Sequence, residues 1–200
     1  SSNDRWTFDG DVPNNFVEHI SRSVPLYSEA QDITAKLSKF FVHDDSIIYD
    51  LGCSTGELTR KLYKSNAHAN NIRFYGIDLV ESMINRAIEE TETDLIQYIC
   101  GDIISHDYKK SSLFTSFYTA QFISPAVRQT LFDKVYENLE WGGAFILFEK
   151  VRGPDARFQD ILSQTYIDYK LSAGYTPSEI ISKASSLVGV LEPFSSQANQ

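Results

Sequence analysis

Asp50, Asp78 and Asp102 each close an apolar run, in "SIIYD", "NIRFYGID" and "LIQYICGD". Small residues follow the first of them, Gly52-Cys53-Ser54-Thr55-Gly56, before a helix-like pattern starts at Glu57. A turn nearly free of side chains lets backbone come close to a ligand. An acid one helix downstream, Asp78, is placed to accept both hydroxyls of a ribose. Asp102 is placed to accept an exocyclic amine of adenine, with Ile103 packing on the ring. Asp50 is placed to hold an ammonium, directly or through water. The array suits a nucleoside that carries positive charge.

Phosphate ligands fit it poorly. A dinucleotide turn needs glycine at its first, third and sixth positions; here these are Gly52, Ser54 and Glu57. Glu57 sets a carboxylate at the helix start, where a pyrophosphate would sit. The Gly-Lys-Ser/Thr of a phosphate-binding loop is missing as well. S-adenosylmethionine meets the requirement, with an adenosine, an ammonium, a carboxylate and a sulfonium but no phosphate. Displacement at a sulfonium needs an aligned acceptor and excluded water. No Cys–His or Ser–His–Asp arrangement can be assigned, so no catalytic residue is named. Cys53 and Cys100 have no metal-ligand spacing, and His19, His43, His68 and His106 are scattered. No metal site is expected.

The elements that must carry these residues alternate in type. "SEAQDITAKLSKFF" puts Ile33, Leu37 and Phe40/Phe41 at helical spacing, with Ser28 as the expected N-cap. A short helix is expected over Phe16–Ser21. "SIIYD" reads as a buried strand, "GELTRKLYKSNA" as a helix and "NIRFYGID" as a second strand. "VESMINRAIEE" is a helix, "LIQYIC" a third strand, and "SSLFTSFYTAQF" holds a fourth whose end delivers Tyr118, Thr119 and Gln121. A helix is expected to start on Ser124-Pro125 and to stop near Trp141-Gly142-Gly143. "AFILFEK" is a fifth strand, and two further helices follow in "DARFQDILSQTYIDYKL" and "PSEIISKASSL". Short apolar strands alternating with helices imply a parallel sheet covered on both faces, with right-handed crossovers. At 200 residues the chain reads as one α/β domain. Residues 1–45 form an N-terminal cap segment and helix, 46–150 the ligand-binding core, and 151–200 a helical C-terminal segment.

Composition narrows the function classes. The net charge of −9, with only 18 Lys and Arg, argues against a broad nucleic-acid face. No stretch approaches the ~18 consecutive apolar residues of a membrane span. "SSNDRWTFDG" does not read as a signal peptide. Two cysteines, too few for a disulfide framework, point to a reduced, cytoplasmic chain.

The ordered set "YDLGCSTG", Asp78, Gly101-Asp102-Ile103 and "LEWGGAF" resembles class I S-adenosylmethionine-dependent methyltransferases. That resemblance implies a Rossmann-like three-layer α/β/α fold, a sheet in the order 3-2-1-4-5, and S-adenosylhomocysteine as product. "WTFD", "RSVPLYSE", "DLGCSTG", "TAQFISP" and "SAGYTPSEI" are similar, in one collinear register, to the carboxy-S-adenosylmethionine synthase family of tRNA wobble-uridine modification. That family is homodimeric. Its cofactor contacts map onto Tyr27, Gly52, Cys53, Ser54, Asp78, Leu79, Asp102 and Ile103; Asp50 and Gly56 complete the turn. Two positions depart from it. Phe117 stands where the family has a cofactor-contacting Asn. Ala184, beside Lys183, stands where an Arg grips the extra carboxylate, and a lysine lacks that bidentate fork. The departures predict plain S-adenosylmethionine as ligand and a methyltransferase acting on a small acceptor. Carboxy-S-adenosylmethionine synthesis and cofactor binding without catalysis are the alternatives. The family's last two strands, an antiparallel hairpin, would follow residue 200.

Overall fold

The computed structural model describes residues 20–199. Five strands, β1 (Ile47–Leu51), β2 (Arg73–Asp78), β3 (Ile96–Cys100), β4 (Ser111–Phe117) and β5 (Leu139–Phe148), form one sheet in the order β3-β2-β1-β4-β5. Every pairing is parallel. The helices are α1 (Tyr27–Ser38), α2 (Glu57–Ser65), α3 (Glu81–Glu89), α4 (Pro125–Asn138), α5 (Ala156–Ser172) and α6 (Pro177–Ser186). Ala120–Phe122 make one 3-10 turn between β4 and α4. This is the three-layer parallel fold that the alternation of elements predicts.

Strand alternation sends successive side chains to opposite faces, and each face has its own core. Ile48, Phe74, Leu113 and Phe117 pack with Tyr27 and Ala30 of α1 and with Leu58 and Leu62 of α2. Tyr49, Leu51, Ile77 and Phe114 pack with Leu131 and Val135 of α4. Asp50 lies on the α1/α2 face, in step with Ile48. All three predicted acids fall at or just past the carboxyl ends of β1, β2 and β3, where ligands bind in open parallel sheets.

The structure corrects three details. Helix α1 starts one residue before Ser28: its N-cap is Leu26 in the left-handed conformation (φ 57°), and no side chain caps it. Helix α4 does start at Ser124-Pro125, but Ser124 makes no side-chain cap bond, and the helix ends at Asn138, before Trp141-Gly142-Gly143. Those residues lie inside β5, where the register jumps from Ser111↔Leu139 to Leu113↔Ala144. A Cβ at Gly143 would lie 2.7 Å from Ser112 O, so glycine serves the bulge there rather than a helix stop. The short helix expected at Phe16–Ser21 falls mostly outside the described residues; within them, residues 20–23 are helical.

Candidate cofactor site

The turn after β1 is built from backbone. The N–H groups of Gly52 and Cys53 both donate to Ile77 O, at 2.8 and 3.0 Å, which ties the turn to β2. Gly52, Ser54 and Gly56 have positive φ values of 74°, 51° and 75°. The glycines also make room for side chains from other strands. A Cβ at Gly52 would collide with Thr119, meeting its Cβ at 2.7 Å, and one at Gly56 would meet Tyr98 Cζ at 2.7 Å. Gly56 is the N-cap of α2 and makes no side-chain cap bond. Glu57 follows it, with a buried Oε2 that has no hydrogen-bond partner. A second anion at this helix start would meet that carboxylate, so a phosphate-free ligand fits better than a pyrophosphate.

Asp78 stands beside the turn, half-buried. Its Oδ2 accepts from Ser54 N at 2.9 Å and its Oδ1 from Val80 N at 3.0 Å. Burial raises its pKa, while the N–H groups of Val80, Ser54 and Leu79 pull the other way. Each oxygen keeps a lone pair for a further donor. Leu79 follows with 69% of its surface exposed. Across the β2/β3 ladder, Gly101 N donates to Asp78 O at 2.9 Å, which brings Asp102 alongside. Asp102 Oδ1 accepts from Ile104 N at 2.9 Å.

Asp50 is placed differently from the expectation. It is 1% exposed, and its carboxylate already accepts from Thr59 Oγ1 at 2.6 Å and Thr115 Oγ1 at 2.9 Å. Desolvation, only partly offset by those hydroxyls, pushes its pKa up to about 6. Asp50 therefore pins α2 and β4 under the turn rather than opening to a ligand's ammonium. Ile103 also differs: at 6% exposure it packs in the core with Leu51, Ile77 and Phe114, not on an open ring-binding face. Cys53 is buried, and desolvation together with the Asp50 and Asp78 charges raises its thiol pKa, which leaves it unreactive.

The region around Tyr27 and Tyr118 is aromatic and cationic. The Tyr27 ring packs edge-on to Phe117 at 5.3 Å and stacks on Tyr118 at 6.0 Å. Burial, with Glu57 and Asp50 nearby, raises the Tyr27 pKa. Beyond Tyr118, Lys150 and Lys170 both lie against the Tyr166 ring, at 5.3 and 4.7 Å. Lys170 is only 9% exposed. Among the described residues no carboxylate lies within ion-pair distance of either lysine. Burial lowers the pKa of both, and it brings Lys183 down to about 7 with help from Lys170. Thr59, Thr115, Tyr166, Lys150 and Lys170 were not singled out from sequence. The one available signal was the charged pair Glu149-Lys150 at the end of an apolar strand, where a parallel sheet puts its ligands.

The protein-family comparison matches residues 48–143 to a methyltransferase domain. A carboxy-S-adenosyl-L-methionine synthase from Staphylococcus epidermidis is 37% identical over 197 residues, covering 98% of this chain and 86% of that protein. The enzyme of the same name from Sulfurimonas denitrificans is 34% identical, covering 98% of this chain and 83% of its own. An S-adenosylmethionine-dependent methyltransferase structure from Clostridium acetobutylicum superposes with TM-score 0.55 at 23% identity, over 69% of this chain and 57% of that one.

Proposed function

The chain belongs to the carboxy-S-adenosyl-L-methionine synthase family, and from that premise we propose that it carboxylates the methyl carbon of bound S-adenosylmethionine: one methyl C–H gives up its proton, and the carbon bonds to CO2 released by a carboxylic-acid co-substrate. The single structural observation that carries this reading is Lys170, a nearly buried ammonium with no carboxylate beside it among the described residues. Desolvating an ammonium is costly unless an anion arrives to pair with it. A carboxylate held in the acceptor pocket is such an anion. Lys150 adds positive charge beside the same ring, and Lys183, its pKa drawn down to about 7, gains its charge only at or below neutral pH, on the side where Ala184 stands in place of the family's arginine.

S-adenosylmethionine supplies an activated carbon on a sulfonium. This chain supplies the holding groups: Asp78 for the ribose, Asp102 for the base, and the Gly52–Gly56 backbone for close approach. Tyr27, Phe117 and Tyr118 shut water from the reacting side. Mass spectrometry of the ligand that copurifies tests the reading. We expect S-adenosylmethionine heavier by the mass of CO2, a carboxyl group standing in place of one methyl hydrogen. Recovery of only S-adenosylmethionine or S-adenosylhomocysteine, with methyl transfer to an added acceptor, replaces the proposal with plain methyl transfer. Phe117 and Ala184 are the observations that favour this second reading.

A homodimer in the cytoplasm is the expected setting. Ile33, Leu37 and Phe40 recur at helical spacing along α1 and its end and are exposed, which supports pairing through that side. Light scattering after size exclusion measures the assembly, and a monomeric mass removes the dimer.

A further inference from the structure

We propose that Glu149 is a positioning residue for the cofactor turn, its carboxylate fixing the 118–122 segment that walls the Gly52 side of the cleft. The inference rests on the reading that places S-adenosylmethionine at that turn. Glu149 follows β5 directly. Its Oε1 accepts from Ala120 N at 3.0 Å and its Oε2 from Gln121 N at 2.8 Å. The opening amides of a 3-10 turn have no partner within the turn, and one carboxylate satisfies two of them. The same segment is fastened elsewhere. Gln121 Oε1 accepts from Lys150 N, and Gln121 O accepts from Glu192 N, both at 2.9 Å. Arg128 donates to Ile123 O from Nε and Nη2 and to Glu192 O from Nη2.

What this clasp holds is the site wall. Tyr118 sits at φ 56°, a conformation that a residue with a side chain keeps only when its surroundings impose it. Its N–H donates to Phe148 O at 2.7 Å on one side, and Glu149 holds the two amides after Thr119 on the other. Between these anchors the Tyr118 ring reaches Tyr27, and Thr119 fills the space beside Gly52. A carboxylate suits the task because it accepts at both oxygens. A glutamine in its place would turn an N–H2 toward one backbone N–H. Among the described residues Tyr118 and the Arg128 guanidinium face Glu149; burial pushes its pKa up to about 7 against the pull of the Gln121 and Ala120 amides and of Arg128, so the carboxylate that accepts at both oxygens predominates above that pH.

Calorimetry with S-adenosylmethionine on wild type and Glu149→Gln tests the proposal, at a temperature well below both melting points. We expect the variant to fold and its Kd to rise at least tenfold, with faster amide exchange in residues 118–122. A merely structural role would lower the melting temperature and leave Kd unchanged. A folded variant whose Kd stays within twofold of wild type overturns the proposal. Should the variant fail to fold, exchange in wild type decides. Slowing of the 118–122 amides by at least fivefold on saturation with S-adenosylmethionine supports the brace, and unchanged exchange overturns it. Wild type that binds no S-adenosylmethionine overturns the cofactor reading and the brace with it; binding by wild type and variant alike overturns the brace alone.

Discussion

The two sides of the cleft are built on opposite terms. At the β1 turn, polar groups find partners within the protein: Asp50 has two hydroxyls, Asp78 has two amides, and the space beside Gly52 is filled by Thr119. At the α5 side, Lys150 and Lys170 share one tyrosine ring and meet no carboxylate among the described residues. The first arrangement, the unpartnered Glu57 Oε2 apart, is satisfied without ligand and is held by backbone geometry. The second leaves charge desolvated, and a bound anion would complete it. Stability and recognition are thus concentrated in different places.

Gly52→Ala should break the first side most severely. The new methyl meets two independent penalties: a left-handed φ of 74° and the Thr119 side chain. Together these amount to about 2–4 kcal/mol, with cofactor binding lost. Gly142→Ala is the matched control. Its φ is 83°, but nothing lies within 4 Å, so only the backbone penalty of about 1 kcal/mol remains and binding should be intact. Equal losses from the two variants, read by urea melts and calorimetry, would show that the Thr119 contact contributes nothing.

Asp50 gives the next largest effect, through pH. Its folded pKa of about 6 lies above the usual 3.8. Between those values the folded state keeps a proton that the unfolded chain has released, so stability falls as pH rises from about 4 to 6. Raising the pKa that far is equivalent to about 3 kcal/mol as an upper bound. Asp50→Asn keeps the shape, can still bond both threonines and cannot titrate. Its stability should change less over that range than that of wild type, and a parallel decline in both proteins would place the titration elsewhere. Asp78→Ala comes after it. The variant should bind S-adenosylmethionine more than tenfold more weakly, since it removes the proposed ribose acceptor and the acceptor of Ser54 N together.

The contrast between the two sides also explains what the sequence showed in advance. Parallel strands align their carboxyl ends, so acids closing successive apolar runs had to converge on one edge. That logic placed Asp50, Asp78 and Asp102; the strand order came from the resemblance to class I methyltransferases. Neither showed that Asp50 is spent on Thr59 and Thr115, because those partners come from α2 and β4, with no local pattern linking them. Ile103 looked available for a ring because the sequence does not reveal which side of a turn a side chain takes. Trp141-Gly142-Gly143 read as a helix stop because a bulge and a stop use the same residues. Lys183 came forward only through the resemblance, and its meeting with Lys150 and Lys170 lay beyond reach, since the three come together only once α5 and α6 have folded back.

Lys170 supplies the smallest and most discriminating change. An ammonium 9% exposed, with its pKa drawn down by burial and by Lys150, costs the folded protein free energy at neutral pH. Lys170→Met keeps an unbranched apolar stem of similar length and removes the ammonium that lies over the Tyr166 ring. The variant should therefore be as stable as wild type or more stable, by up to about 1 kcal/mol. The same substitution should weaken binding of carboxylated S-adenosylmethionine more than that of S-adenosylmethionine itself, because only the former brings the extra anion. A melting temperature that rises while this selectivity falls would show that the α5 side gives up stability for recognition. A variant that loses stability and keeps its selectivity would make Lys170 a packing residue and return the cleft to a single, backbone-built site.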